Sequence, residues 1–238
     1  MSSRQEEKER RRKERLAAEQ AAATAAARKR RTGYLVGGLL AGAAIAAVVI
    51  AVAAGGGGSS KSASKPSASQ TKLDAALQTK AMAAGCTAKT FPSEGRQHTD
   101  GKVVYKTNPP TSGNHNPIPA SDGVYDPAGT PQIEKLVHPL EHGRIEFQYH
   151  PGTSPAVVAQ LTSLMKEQVP NQPGGTQPGG YLQLLFQNPT GMPSAVAATA
   201  WTHSITCPTF KGAATLDALR AFRAAYINKG PEFIPVPE

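Results

Sequence analysis

RIEFQYHPGTSPAVVAQLTSLMKEQ, residues Arg144–Gln168, carries two periodicities side by side. In Arg144–His150, Ile145, Phe147 and Tyr149 alternate with polar residues, the pattern of a half-buried strand. Behind it, Ser154-Pro155 is an N-cap followed by a first-turn proline. Val157, Val158, Leu161, Leu164, Met165 and Gln168 then recur at helical spacing, so Pro155–Gln168 reads as an amphipathic helix.

Working outward, Pro170–Gly180 reads as a loop, Tyr181–Gln187 (YLQLLFQ) as a second strand and Ala195–Thr206 (AVAATAWTHSIT) as a third. Leu216–Asn228 is a second amphipathic helix with Leu216, Leu219, Phe222 and Tyr226 inward, stopped by Gly230-Pro231. Upstream, Lys72–Ala84 has helical composition. From Phe91 to Pro131 the chain is rich in Pro, Gly, Asn, Ser and Asp, with only Lys102–Lys106 strand-like. So long an irregular stretch inside a compact domain points to function. The fold class is α+β: a small sheet packed on helices along one face, with a long Pro/Gly-rich loop segment. The succession also resembles the C-terminal part of thioredoxin-like folds, without their CxxC motif.

The remainder divides by composition. Residues 1–33 form a basic tail holding 11 of the 26 Lys/Arg and 5 of the 17 Asp/Glu. Much of the net charge of +9 is therefore concentrated there and does not mark the folded domain as a nucleic-acid binder. Residues 34–54 (YLVGGLLAGAAIAAVVIAVAA) are 21 uncharged residues, long enough for a helix to cross a bilayer. Arg28-Lys29-Arg30-Arg31 abuts that run and predicts a cytoplasmic N-terminus, with the C-terminal part outside the cell. Ala51-Val52-Ala53 has the small residues of a signal-peptide cleavage site, but the segments before it are too long for that reading. Residues 55–71 read as a flexible linker and 72–238 as an extracytoplasmic globular domain, preceded by the one transmembrane helix.

Both cysteines, Cys86 and Cys207, lie on the side predicted to be oxidising, which predicts a disulfide. Closing a loop of this length is worth about 4–5 kcal/mol in the chain-entropy model.

All six histidines also lie there. His138 and His142, in LVHPLEHG (Leu136–Gly143), are four apart on a short turn that Pro139 can open and Gly143 can close, which puts both rings on one side. His115, in NPPTSGNHN (Asn108–Asn116), is the natural third metal ligand, and His98 in RQHTDG a fourth. Imidazole suits copper or zinc. Zinc-like bonds require the ring nitrogens to converge to within about 4 Å. Glu141 is expected to point away from that ion, as an acceptor for a ring N–H or a partner of Arg144. His150 and His203 read as surface or packed residues.

Tyr105, NPPTSGNH, Gly123-Val124-Tyr125, LVHPLEHG, Tyr149 and Ala200-Trp201 followed by Cys207 together resemble the bacterial domain-of-unknown-function family numbered 3105, over about Cys86–Pro231. The resemblance implies the layout already read: a basic tail, one membrane helix and an outer domain, here of actinobacterial, Ala-rich type. It places His115, His138 and His142 inside family motifs, with His98 less securely, and supplies no catalytic residues.

Three functions remain open from the residues. One is a membrane-anchored domain binding a metal through those histidines. Another is a metal-dependent hydrolase with Glu141 or Asp122 as base; Ser112 lacks a nucleophile's GxSxG context and reads as a turn residue. The third is an envelope binding or assembly module in which the histidines only brace the loop.

Overall fold

The computed structural model describes residues 67–232. The basic tail, the apolar run at 34–54 and most of the 55–71 linker lie outside the described residues. Among the described residues no helix is long and apolar enough to cross a membrane.

Helix α1 (Ala68–Ala84) begins inside the stretch read as linker, because Ser67 caps it: its Oγ accepts the Gln70 N–H at 3.1 Å. Gly85, at φ +70°, ends it. The Gly85 N–H reaches the Met82 carbonyl and the Cys86 N–H the Ala81 carbonyl, the paired bonds of a Schellman motif. That turn delivers Cys86 to strand β1 (Thr87–Thr90), which the sequence reading lacks, and to its disulfide with Cys207.

After the loop-rich segment come β2 (Gly123–Val124), α2 (Ile133–Glu141), β3 (Ile145–Tyr149) and α3 (Pro155–Met165). Pro155 takes the first helical turn, but Ser154 makes no side-chain cap bond. The stretch read as a loop at 170–180 holds a small ribbon, β4 (Val169–Gln172) with β5 (Gly175–Gln177). Strand β6 (Gln183–Gln187) follows. The single strand expected over Ala195–Thr206 is a hairpin, β7 (Val196–Ala200) and β8 (His203–Cys207). It turns at Trp201-Thr202, where Thr202 takes φ +63°. Helix α4 (Ala213–Tyr226) closes the domain.

The six-stranded sheet is mixed, ordered β1-β8-β7-β3-β6-β2, with β6 parallel to both β3 and β2 and the other pairs antiparallel. On one face Ile145, Phe147, Leu185, Ala198 and Ile205 join Leu77, Leu161, Leu164, Leu219 and Phe222 of α1, α3 and α4 in the main core.

Helices are expected from sequence on one face alone, but they cover both. Helix α2 lies over the opposite side, where Leu136 packs with Leu184 and Phe186. Nearby, Val137 and Leu140 pack with Trp201. Every residue of β3 is therefore buried, not every second one. On its polar face Gln148 is fully engaged: its Nε2 donates to Thr199 Oγ1 at 3.0 Å, and Asn188 Nδ2 donates to its Oε1 at 2.7 Å. The domain is thus α+β with a mixed sheet packed against four helices.

Candidate metal centre

The Pro/Gly-rich segment is tied down by side chains instead of a ladder. Lys102–Lys106, read as strand-like, forms no strand. Glu94 accepts the Lys106 and Thr107 N–H groups at 2.7 and 3.1 Å, and Glu134 accepts that of Val103 at 3.2 Å. The hydroxyl of Ser112 accepts the Glu94 N–H at 3.0 Å, so Ser112 holds the loop. One short parallel bridge joins His98 to His115. In it Thr99 donates to the His115 carbonyl and His115 to that of Gln97.

LVHPLEHG is not an isolated turn opened by Pro139. It is the end of α2, which starts at Ile133 and contains Pro139. Proline has no N–H, so the Lys135 carbonyl lacks its helical donor and takes the Ala120 N–H at 2.8 Å. Asn116 N–H reaches the Glu134 carbonyl at 3.0 Å. The loop docks on the helix at these two points, which sets His115 beside His138. Gly143, at φ +77°, then closes α2: its N–H reaches the Leu140 carbonyl, and the Arg144 N–H that of Pro139.

His98, His115 and His138 each bring one ring nitrogen within 4.8 Å of the others. His115 is fully buried and His138 nearly so, while His98 is exposed. Main-chain carbonyls fix two tautomers: Nδ1–H of His115 donates to Gly113 at 2.8 Å and Nδ1–H of His138 to Asn116 at 2.6 Å. A neutral ring so held turns an Nε2 lone pair inward, the orientation a metal-binding imidazole needs. His142 stands outside the 4.8 Å group but next to it. Its Nε2 lies 2.7 Å from Nε2 of His138, a contact that a metal on His138 would replace. His150 and His203 lie elsewhere, the latter stacked on Tyr226 at 4.0 Å.

Glu141 points into the cluster, against the sequence expectation. One carboxylate oxygen lies 3.1 Å from His115 Nε2 and the other 3.1 Å from Nε of Arg96. Neither contact has hydrogen-bond geometry, since His115 Nε2 and Glu141 Oε1 are both buried without a partner. Arg144 pairs instead with Asp122, Nε to Oδ1 at 3.1 Å. Arg96 escapes sequence reasoning, as does the inward turn of Glu141, because both depend on how the loop folds over α2. Arg96 stands two residues before His98, which is the one available signal.

Burial pushes the His115, His138 and His142 pKa values below that of a free imidazole, and the positive charge each would carry works against its neighbours. Burial pushes Glu141 up, with Arg96 opposing. The rings are therefore neutral at neutral pH and able to ligate.

The family model described as "Protein of unknown function (DUF3105)" matches residues 96–234, more than half of the chain and the whole of this cluster. The chain belongs to the DUF3105 family. The matched stretch starts at Arg96 and takes in both histidine motifs, so the cluster lies wholly within it. No curated protein and no solved structure matches the chain.

Proposed function

We propose that this is a single-pass membrane protein with a cytoplasmic basic tail, inserted in the lipid bilayer through residues 34–54. Its extracytoplasmic DUF3105 domain holds a transition metal through His98, His115 and His138. The Cys86–Cys207 disulfide supports an oxidising compartment for the domain.

One observation carries the metal reading: Nε2 of His115, wholly buried, faces a carboxylate oxygen with a lone pair and no donor. Leaving such a group unsatisfied costs about 1–3 kcal/mol. Of the five buried side-chain atoms without partners among the described residues, three (His115 Nε2, Glu141 Oε1 and His142 Nδ1) sit at this cluster, where a cation held by the three histidines would engage the first. Imidazoles with an adjacent carboxylate favour zinc or copper over magnesium or calcium, which take oxygen donors.

Elemental analysis of the purified full chain, with melting curves under added zinc or copper, tests this. A metal at a hundred times its Kd contributes about 2.7 kcal/mol, a rise of about 5–10 °C for a domain of this size. His98→Ala should abolish the rise, because His98 is exposed and its ring makes no hydrogen bond among the described residues. The bracing alternative draws on the two Nδ1 bonds to loop carbonyls, and it is the reading left if wild type carries no metal and shows no rise. Protease added outside intact cells should remove the domain and spare the tail; a protected domain would refute the topology.

A further inference from the structure

The cluster has a closed back and an open front. His115, Glu141 and Trp201 are buried behind it, whereas His98 and His138 lie on the wall of a cavity of about 570 Å³. That volume is in the range of small-molecule sites. The same wall carries His142 and, further along, Arg144 beside Asp122. Asp122 engages only Nε of Arg144; the two terminal nitrogens make no hydrogen bond among the described residues. Pro117, Pro119 and Pro139 supply the rest of a stiff lining.

We propose that this cavity takes a small carboxylate, which completes the metal's coordination with one oxygen and is held by the free fork of Arg144. The inference rests on the metal reading above and adds a ligand class to it. Three histidines fill three positions of a site that commonly has four, and the cavity lies on the side where no protein ligand stands. A planar guanidinium with free terminal N–H groups matches a carboxylate better than a point charge does. Asp122 and the exposed Glu232 leave the rim no surplus of positive charge, so a singly charged anion fits better than a phosphate.

The test uses the full chain loaded with Co(II), whose visible absorption reports its coordination, titrated with acetate. Acetate should change the spectrum saturably. Arg144→Gln should weaken the response about ten-fold while leaving Co(II) stoichiometry unchanged. Asp122→Asn, which frees Arg144 without removing it, should bind acetate at least as tightly as wild type. A spectrum indifferent to acetate, or equal affinity in Arg144→Gln, overturns this proposal and leaves the metal site standing. Failure to take up Co(II) overturns both.

Discussion

The carbonyl of Lys135 accepts the N–H of Ala120 across 2.8 Å, in place of the helical donor that Pro139 lacks. A proline inside a helix normally destabilises it by about 3 kcal/mol through a lost bond and a clash. Here the lost bond becomes a docking point. The Asn116 N–H uses the neighbouring carbonyl of Glu134, and the Asn116 carbonyl takes Nδ1–H of His138. One irregularity in α2 thus anchors the loop and orients a ring in the cluster.

Pro139→Ala restores an internal donor to Lys135 and competes with Ala120. The helix gains and the loop loses, so overall stability should change by only about 1 kcal/mol in either direction. The loop should register the change more strongly. Hydrogen exchange at the Ala120 and Asn116 amides should accelerate, and the metal-induced rise in melting temperature should shrink. Unchanged exchange at both amides would show that the docking does not depend on proline.

Glu146 is wholly buried on β3, with Thr199 Oγ1 donating to its Oε2 at 3.2 Å and its Oε1 unpartnered. Burial drives its pKa well above the ordinary carboxyl value of 4.5, against the smaller opposing effect of the Thr199 bond. The folded state therefore holds a proton that the unfolded state releases above pH 4.5. This contribution is fully present below 4.5 and is lost as pH rises toward the folded value. Glu146→Gln mimics the protonated acid. Denaturation of both proteins across pH 5–8 should show the variant gaining on wild type as pH rises. A constant difference would mean that Glu146 is ionised in the fold.

Periodicity made β3, α3, β6 and α4 legible, since each has an uninterrupted apolar rhythm facing the main core. The β7–β8 hairpin read as one strand because its turn carries no Gly, Pro or Asn-Gly signal; Thr202 adopts a positive φ that its residue type disfavours. The second layer was hidden for a different reason. Glu146 and Gln148 look like a solvated face, and only the fold shows them covered by α2 and the loop. The same holds at the cluster. Histidines in three separate segments were readable as candidates, but the grouping of His98 with His115 comes from a backbone bridge between irregular segments, and the inward turn of Glu141 from α2 beginning well before Pro139. Nothing in local spacing reports either.

The Cys86–Cys207 disulfide links the chain just after α1 to the end of β8, across 121 positions of sequence. Replacing both cysteines by alanine should cost about 4–5 kcal/mol by the chain-entropy model, a large part of the stability of an ordinary domain. Urea denaturation of the double variant should show a much lower midpoint. A loss under about 1 kcal/mol would mean that the α1–α4 packing alone holds β1 on the sheet.

Gly113 sits at φ +131°, a conformation that residues with a Cβ rarely adopt, and its α-carbon passes under the ring of Tyr105. A Cβ there would stand 2.8 Å from Tyr105 Cε1. Tyr105 cannot swing away freely, because its hydroxyl donates to the Asn114 carbonyl at 2.8 Å. The Gly113 carbonyl is also the acceptor that orients His115. Gly113→Ala should therefore cost about 1–3 kcal/mol from backbone strain, with the steric clash adding to it. It should also weaken metal binding more than its effect on melting would suggest, because the turned carbonyl releases the His115 tautomer. Melting curves with and without zinc separate the two effects. An unchanged zinc-induced rise in a destabilised variant would show that Gly113 serves the loop alone and that Nε2 of His115 keeps its aim without it.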